Sequence, residues 1–302
     1  MRHLTFLTFV PAFFLLLLCR VLRQRGVYSR QLFGLCHAAC QLCPHPGFLW
    51  FRELLRRDLG FRCQRSTLIK IRPWISRASA RDRGIFEGLN CESRGAEATA
   101  QSANVNNLLR AAAARREAEL RHHLSAIKHL DLFVVGNSAK LAEQNLGPVI
   151  DDSGFVVRFN RWDEKGGSVG RRCDLWIRSA ESMPVPQCSP RWQLLSGPAM
   201  LSRIQDPALQ EQLLCGPFLD FPLIVWRTLV KKLDAPPSAG LCALWWLRGI
   251  LGDWAPLQAC GFGFDAKKYH VCGAQHRPSL RHHWRGEAAL LKQWQAEGLN
   301  LL

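Results

Sequence analysis

The chain lacks several patterns that would give it a simple reading. No glycine-rich G-x-G-x-x-G follows its first strand-like run; G-N-S-A-K-L stands there instead, which argues against a Rossmann-type dinucleotide enzyme. No Asp-x-Asp pair occurs anywhere in the 302 residues, so the usual clamp for a metal-bound diphosphate is missing. No block of five or more Lys/Arg occurs either, although the formal net charge is +16. The arginines are scattered, as on a basic surface that meets acidic ligands, whereas a nucleic-acid-binding face would show them clustered. Cys36, Cys40 and Cys43, with His37 and His45 nearby, resemble a metal cluster, but no second C-x-x-C half follows at finger-like spacing. Buried thiols or a local disulfide are the better expectation there. Acidic residues are absent before Glu53.

What is present suffices for a core: 48% of the residues are hydrophobic and 21% charged. From His3 to Cys19 the chain is apolar, broken by Thr5, Thr8 and Pro11. Seventeen helical residues would span roughly 25 Å, marginal for a membrane crossing. No small-x-small cleavage site follows, and Arg20, Arg23 and Arg25 do. Residues 1–19 are therefore expected to be an uncleaved membrane anchor, with a cleaved signal or a transit peptide as the alternatives. The arginines after the segment favour the orientation opposite to one that places the rest of the chain in a lumen. Residues 20–119 are expected to be a mobile stem with helical segments, the last of them an Ala/Arg/Leu-rich helix from Val105 to Leu130.

The informative part is residues 120–302. Leu132-Phe133-Val134-Val135 reads as a buried strand. Gly136-Asn137-Ser138 is a polar turn, Ala139 to Leu146 a helix broken by Gly147-Pro148, and Phe155 to Phe159 a second strand ending on Asn160. Strand, turn, helix and strand make a βαβ unit, in which ligands sit at the carboxyl ends of the strands. Asn137, Ser138 and Asn160 occupy those ends. Two amides and a hydroxyl suit a ribose or a base edge, and the turn offers backbone N–H groups to a phosphate. An ordinary capped βα turn would look the same.

Farther on, Leu175-Trp176-Ile177 is a strand with Asp174 at its start, where the carboxylate can cap a turn or pair with an arginine. A further strand is expected at Phe221–Val225. Ser238 is expected to cap a buried helix from Leu241 to Leu251, with a strand from Leu257 to Cys260 leading into Gly261-Phe262-Gly263. The turn at Ser238–Gly240 offers a helix N-terminus to an anion. Tyr269-His270 and then His282-His283-Trp284-Arg285-Gly286-Glu287 complete the pattern.

In this order, V-V-G-N-S, G-x-x-I-D and V-V-R-F-N resemble the large sialylmotif of the eukaryotic-type sialyltransferases. P-S-A-G followed by G-F-G resembles the small one, and His270 and then His282 with Glu287 resemble the two terminal motifs. Three departures mark a divergent member, nearer algal or bacterial relatives. Ala239 stands for the usual threonine and Val271 for the usual aromatic. The cysteine pair that often links the motifs is missing, with Leu132 at its first position.

The resemblance implies an α/β, Rossmann-like glycosyltransferase domain with a central, mostly parallel sheet. It also implies an inverting transfer of sialic acid from CMP-sialic acid to a glycan hydroxyl, without cofactor or metal. His282 would be the general base, and His270 with the Ser238–Gly240 N–H groups would face the leaving phosphate. Asn137, Ser138 and Asn160 would hold the nucleoside, and Glu287 would orient a backbone or helix end. The implied partners are a nucleotide-sugar donor, a glycan acceptor and, through the N-terminal segment, a Golgi membrane crossed once, with the catalytic domain lumenal; no nucleic acid is implied. The alternatives are a transferase for another CMP-linked acidic sugar such as Kdo, an inactive relative, or a basic nucleic-acid or membrane-surface protein.

Overall fold

The computed structural model describes residues 2–24, 29–61, 63–79, 82–83, 85–87, 89–90, 100–127, 131–160, 162, 167–179, 189–197, 216–220, 222–263 and 281–302. Its centre is a sheet of parallel strands: β1 (Leu132–Val135), β2 (Phe155–Phe159), β3 (Leu175–Ser179), β4 (Trp192–Ser196), β5 (Phe218–Leu219), β6 (Leu257–Cys260) and β7 (Asn300–Leu301). Their order is β5-β4-β3-β2-β1-β6-β7. The α/β class and parallel sheet read from the sequence are found. Every residue of β1 and β2 is buried, as expected of a parallel sheet covered on both faces. The strand order reverses between β1 and β6, and such a reversal opens a crevice at the carboxyl ends.

The helices are α1 (Arg2–Gln24), α2 (Arg30–Leu42), α3 (Pro46–Asp58), α4 (Arg65–Ile75), α5 (Ala100–Ser125), α6 (Lys140–Gln144), α7 (Gly147–Asp152), α8 (Leu223–Leu233), α9 (Ala239–Leu251) and α10 (Trp284–Ala296). One face of the sheet packs Leu132, Val134, Phe155, Val157, Leu175 and Ile177 against α8, α9 and Leu120 and Leu124 of α5. The opposite face packs Phe133, Val135 and Val156 against Leu141 and Ile150.

The structure departs from the sequence reading at four points. The helix expected from Ala139 to Leu146 does break, but already after Gln144 on the left-handed Asn145, and Gly147-Pro148 opens a second helix, α7, since proline is pre-organised for a first helical turn. Of the strand expected at Phe221–Val225, Phe221 lies outside the described residues and Leu223 to Val225 are the start of α8, because Val225, Trp226, Leu229, Val230 and Leu233 recur at helical spacing and bury one face. Residues 30–75 are packed helices with a core of their own, including Phe48, Leu55, Leu68 and Ile71, where a mobile stem was expected. Finally, α1 buries Ala12, Leu16 and Cys19 in that core and exposes Phe13, Phe14, Leu17 and Leu18 on its other side. Among the described residues no helix is long and apolar enough to cross a membrane.

Arg158 is 1% exposed on β2. Its Nε donates to the Arg172 carbonyl at 2.7 Å and its guanidinium to the Val169 carbonyl at 2.8 Å. The arginine of V-V-R-F-N thus fixes the 169–172 loop. Asp174 pairs with Arg172 at 2.9 Å, one of the two roles expected of it; in place of a turn cap, its carboxylate accepts the Val156 N–H of β2 at 2.8 Å.

Candidate active site

The site is built at the β1/β6 switch. The Gly136 N–H donates to the Cys260 carbonyl at 2.8 Å, and the Ser138 N–H to the Gly261 carbonyl at 2.9 Å. The two turns interleave so closely that a Cβ on Gly136 would run into the Gly261 carbonyl, and one on Gly263 into the Ser138 hydroxyl. Gly136→Ala is expected to destabilise the fold by roughly 1–3 kcal/mol, the usual cost of overpacking, since the obstacle is backbone. Urea unfolding checks this.

Asn137 ties the turn to the next strand: its Nδ2 donates to the Phe159 carbonyl at 2.7 Å. Asn160 follows with φ +48°, a left-handed conformation that asparagine tolerates better than most residues. Its N–H donates to the Ile177 carbonyl, and its own carbonyl accepts the Trp176 Nε1–H at 2.8 Å. Asn137, Ser138 and Asn160 therefore share one edge of the sheet.

Phe262, between the glycines of G-F-G, meets Phe159 edge-on at 6.4 Å. It also closes against the start of α9, where a Cβ on Gly240 would sit 2.8 Å from a carbon of its ring. This contact joins the Ser238–Gly240 turn to the β1/β2 edge. Ser238 caps α9, its Oγ accepting the Leu241 N–H at 3.3 Å. Its other groups face α10. The Ser238 N–H donates to Glu287 Oε1 at 2.7 Å and its hydroxyl to Oε2 at 2.6 Å. Glu287 is 1% exposed, and burial lifts its carboxyl to about 7 against the lowering effect of the two Ser238 bonds. Both side-chain-facing donors of Ser238 are thus engaged, and the N–H groups of Ala239 and Gly240 are what the turn has left for a ligand.

His282 immediately precedes His283, the N-terminal cap position of α10, and its ring meets Trp284 edge-on at 5.1 Å. Its Nδ1 lies 2.8 Å from the Pro236 carbonyl. A carbonyl can only accept, so Nδ1 carries the proton and the neutral ring keeps its lone pair on Nε2. Burial, helped by the neighbouring Arg281 charge and opposed by the Pro236 carbonyl, pulls His282 down to about 4. His283 is exposed, with Nδ1 3.0 Å from the Leu233 carbonyl. His270 and Val271 lie outside the described residues.

The structure thus brings together Asn137, Ser138, Asn160 and Gly240 at one sheet edge, and links Ser238 to the His282 turn through Glu287. The part of Phe262 in joining the α9 turn to the β1/β2 edge was not foreseen; a phenylalanine between two glycines after a strand was its one sequence signal.

Comparison with curated proteins gives no match. Among solved structures the chain is similar to a mammalian sialyltransferase at 18% identity, covering 57% of this chain and 68% of that one with a TM-score of 0.44. It is also similar to a mammalian sialyltransferase in complex with Gal-beta-1-3GalNAc-ortho-nitrophenol at 15% identity, covering 75% and 88% with a TM-score of 0.46. Residues 92–201 match the model of glycosyltransferase family 29 (sialyltransferase), and that span holds β1, β2, their polar turn and the Asn160 edge. Over those residues the chain is similar to the sialyltransferases of glycosyltransferase family 29.

Proposed function

We propose that the enzyme moves sialic acid from CMP-sialic acid to a glycan hydroxyl with inversion, with His282 as general base and without a metal. The observation that carries this reading is the fixed tautomer of His282. With Nδ1 held on the Pro236 carbonyl, Nε2 is the atom able to take the acceptor's proton as the hydroxyl attacks. The attack breaks the bond between the anomeric carbon and the phosphate oxygen, and CMP leaves with the electron pair. Asn137 and Asn160 hold the nucleoside, and Ser138 borders it. The N–H groups of Ala239 and Gly240 at the α9 terminus, which Ser238 caps, serve the departing phosphate, and His270 is assigned to it by its motif alone. A nucleoside monophosphate carries one phosphate, which lessens the need for a metal. We place the reaction in the Golgi lumen on the family resemblance alone.

Calorimetry with CMP in the presence of a chelator tests the donor half of this reading. Wild type is expected to bind, and Asn137→Ala to bind more weakly, because ligand donors and acceptors lose their partner. Asn160 needs a two-variant design, since its backbone is left-handed. Asn160→Gly relieves the backbone and removes the amide, so it is expected to keep the fold and lose affinity; Asn160→Ala is expected to lose about 1 kcal/mol of stability as well. Unchanged CMP affinity in both Asn137→Ala and Asn160→Gly would refute these assignments.

A further inference from the structure

The helices of residues 30–75 have no part in the site described so far, yet they are joined to the segment that holds its histidines. The Arg30 N–H opens α2 and so lacks an acceptor within the helix; it donates to Asp234 Oδ1 at 3.1 Å. The Arg30 Nε donates to the same oxygen at 2.9 Å. A second joint lies at the turn after α3. There the Gly60 carbonyl accepts from the Arg227 Nε, and a Cβ on Gly60 would sit 2.6 Å from the Trp226 indole. Leu59, Phe33 and Phe61 pack into the core of the sheet beside these joints.

Asp234 ends α8 in a left-handed conformation, φ +52°, with its N–H on the Val230 carbonyl. Ala235, Pro236 and Pro237 follow, all buried. Two consecutive prolines fix φ at both positions, so the segment has little freedom to bend. The Leu233 carbonyl lies 3.0 Å from His283 Nδ1, and the Pro236 carbonyl 2.8 Å from His282 Nδ1. Ser238 comes next and is bound to Glu287 of α10. Residues 233–238 are thus held by α2 and themselves hold the His282 turn. A shift at Asp234 reaches the Pro236 carbonyl across two residues that can absorb little of it. The ion pair is half-exposed, the Arg30 side chain at 53% and that of Asp234 at 37%, so it adds little to stability. What it fixes is a position.

We propose that Arg30 and Asp234 are positioning residues: the helical unit of residues 30–75 braces the 233–238 segment and so sets where the His282 imidazole stands for proton transfer. This rests on the reading of His282 as general base given above.

Asp234→Gly tests it in the full chain, because glycine keeps the left-handed corner without strain and removes the carboxylate. Transfer from CMP-sialic acid gives kcat, calorimetry gives CMP affinity, and nitrogen NMR of the imidazoles gives the His282 tautomer, its signal identified by loss in His282→Ala. In Asp234→Gly, kcat is expected to fall roughly 10–100-fold, since a misplacement of about 1 Å can cost 10²-fold. CMP affinity is expected to stay at the wild-type value, and the His282 signal to move from the Nδ1-protonated form toward a mixture. Asp234→Asn keeps an oxygen in the same place and tolerates the left-handed backbone, so it is expected to restore most of kcat. Wild-type kcat in Asp234→Gly, an unchanged His282 signal, or a parallel loss of CMP affinity overturns the proposal. If Asp234→Gly melts well below wild type, Arg30→Ala takes its place. A smaller loss of kcat, restored by Arg30→Lys, is then expected, and no loss overturns the proposal. A wild-type protein that transfers nothing from CMP-sialic acid overturns the functional reading, while the His282 signal in Asp234→Gly still decides for or against the brace.

Discussion

His282→Ala is expected to lower transfer roughly 10²–10⁴-fold, the usual worth of a positioned general base, while CMP affinity stays near wild type. The separation follows from position: the ring belongs to the turn before α10, with its Nδ1 on the Pro236 carbonyl, whereas the nucleoside side chains stand at the ends of β1 and β2. His283→Ala is expected to do far less, because that ring is exposed. The pH dependence sharpens the test. With His282 held near 4 in the unliganded enzyme, the acidic limb of kcat/KM is expected well below the ordinary histidine range. A bound anionic donor beside the ring favours its protonated form, so the acidic limb of kcat is expected at higher pH than that of kcat/KM. Near wild-type turnover in His282→Ala would remove the histidine from the mechanism.

Glu287→Ala is expected to destabilise the protein by roughly 2–5 kcal/mol, because it leaves the Ser238 N–H and hydroxyl without partners beside a cavity. It should also lower transfer, since Glu287 links the α9 turn to the helix that carries the His282 turn. Glu287→Gln separates charge from shape. The Glu287 carboxyl is raised to about 7 in the fold, against about 4.3 when unfolded. Between these values the folded state holds a proton that the unfolded state has lost. The stability this contributes is therefore fully present below the unfolded value and is lost as pH rises through the folded one. His282 is lowered to about 4 from about 6.5, so over its window the unfolded state holds the extra proton and stability is lost as pH falls. Between about pH 5 and 6 the two contributions oppose each other, each at most about 1.4 kcal/mol per pH unit. Urea unfolding across that range is expected to show Glu287→Gln gaining stability with rising pH relative to wild type, and His282→Ala losing it. Parallel pH profiles for the three proteins would contradict the burial assigned to both groups.

The sheet around the site was legible in the sequence for a physical reason. Strands buried on both faces read as continuous apolar runs, so 132–135, 155–159 and 257–260 stood out between polar turns. The serine cap of α9 was legible as well, since a side-chain oxygen before an apolar run has few other uses there. At Phe221–Val225 the same logic failed, because a short apolar run reads alike as strand or buried helix until its periodicity is followed to Leu233. The helices of residues 30–75 were hidden by weak periodicity; α3 buries Arg52, Glu53, Arg57 and Asp58 along with its apolar residues, so polar positions do not mark its exposed face. The Glu287–Ser238 link joins residues 49 apart, and no local pattern announces it.

The most direct test is a donor screen of the full chain with CMP-, CDP- and UDP-linked sugars, a panel of glycans with different terminal sugars and a chelator, read by mass spectrometry of the glycans. The expected result is one added sialic acid, from CMP-sialic acid alone, at a rate unaffected by the chelator. Transfer from a CDP- or UDP-linked sugar, or from no donor at all, would contradict the account.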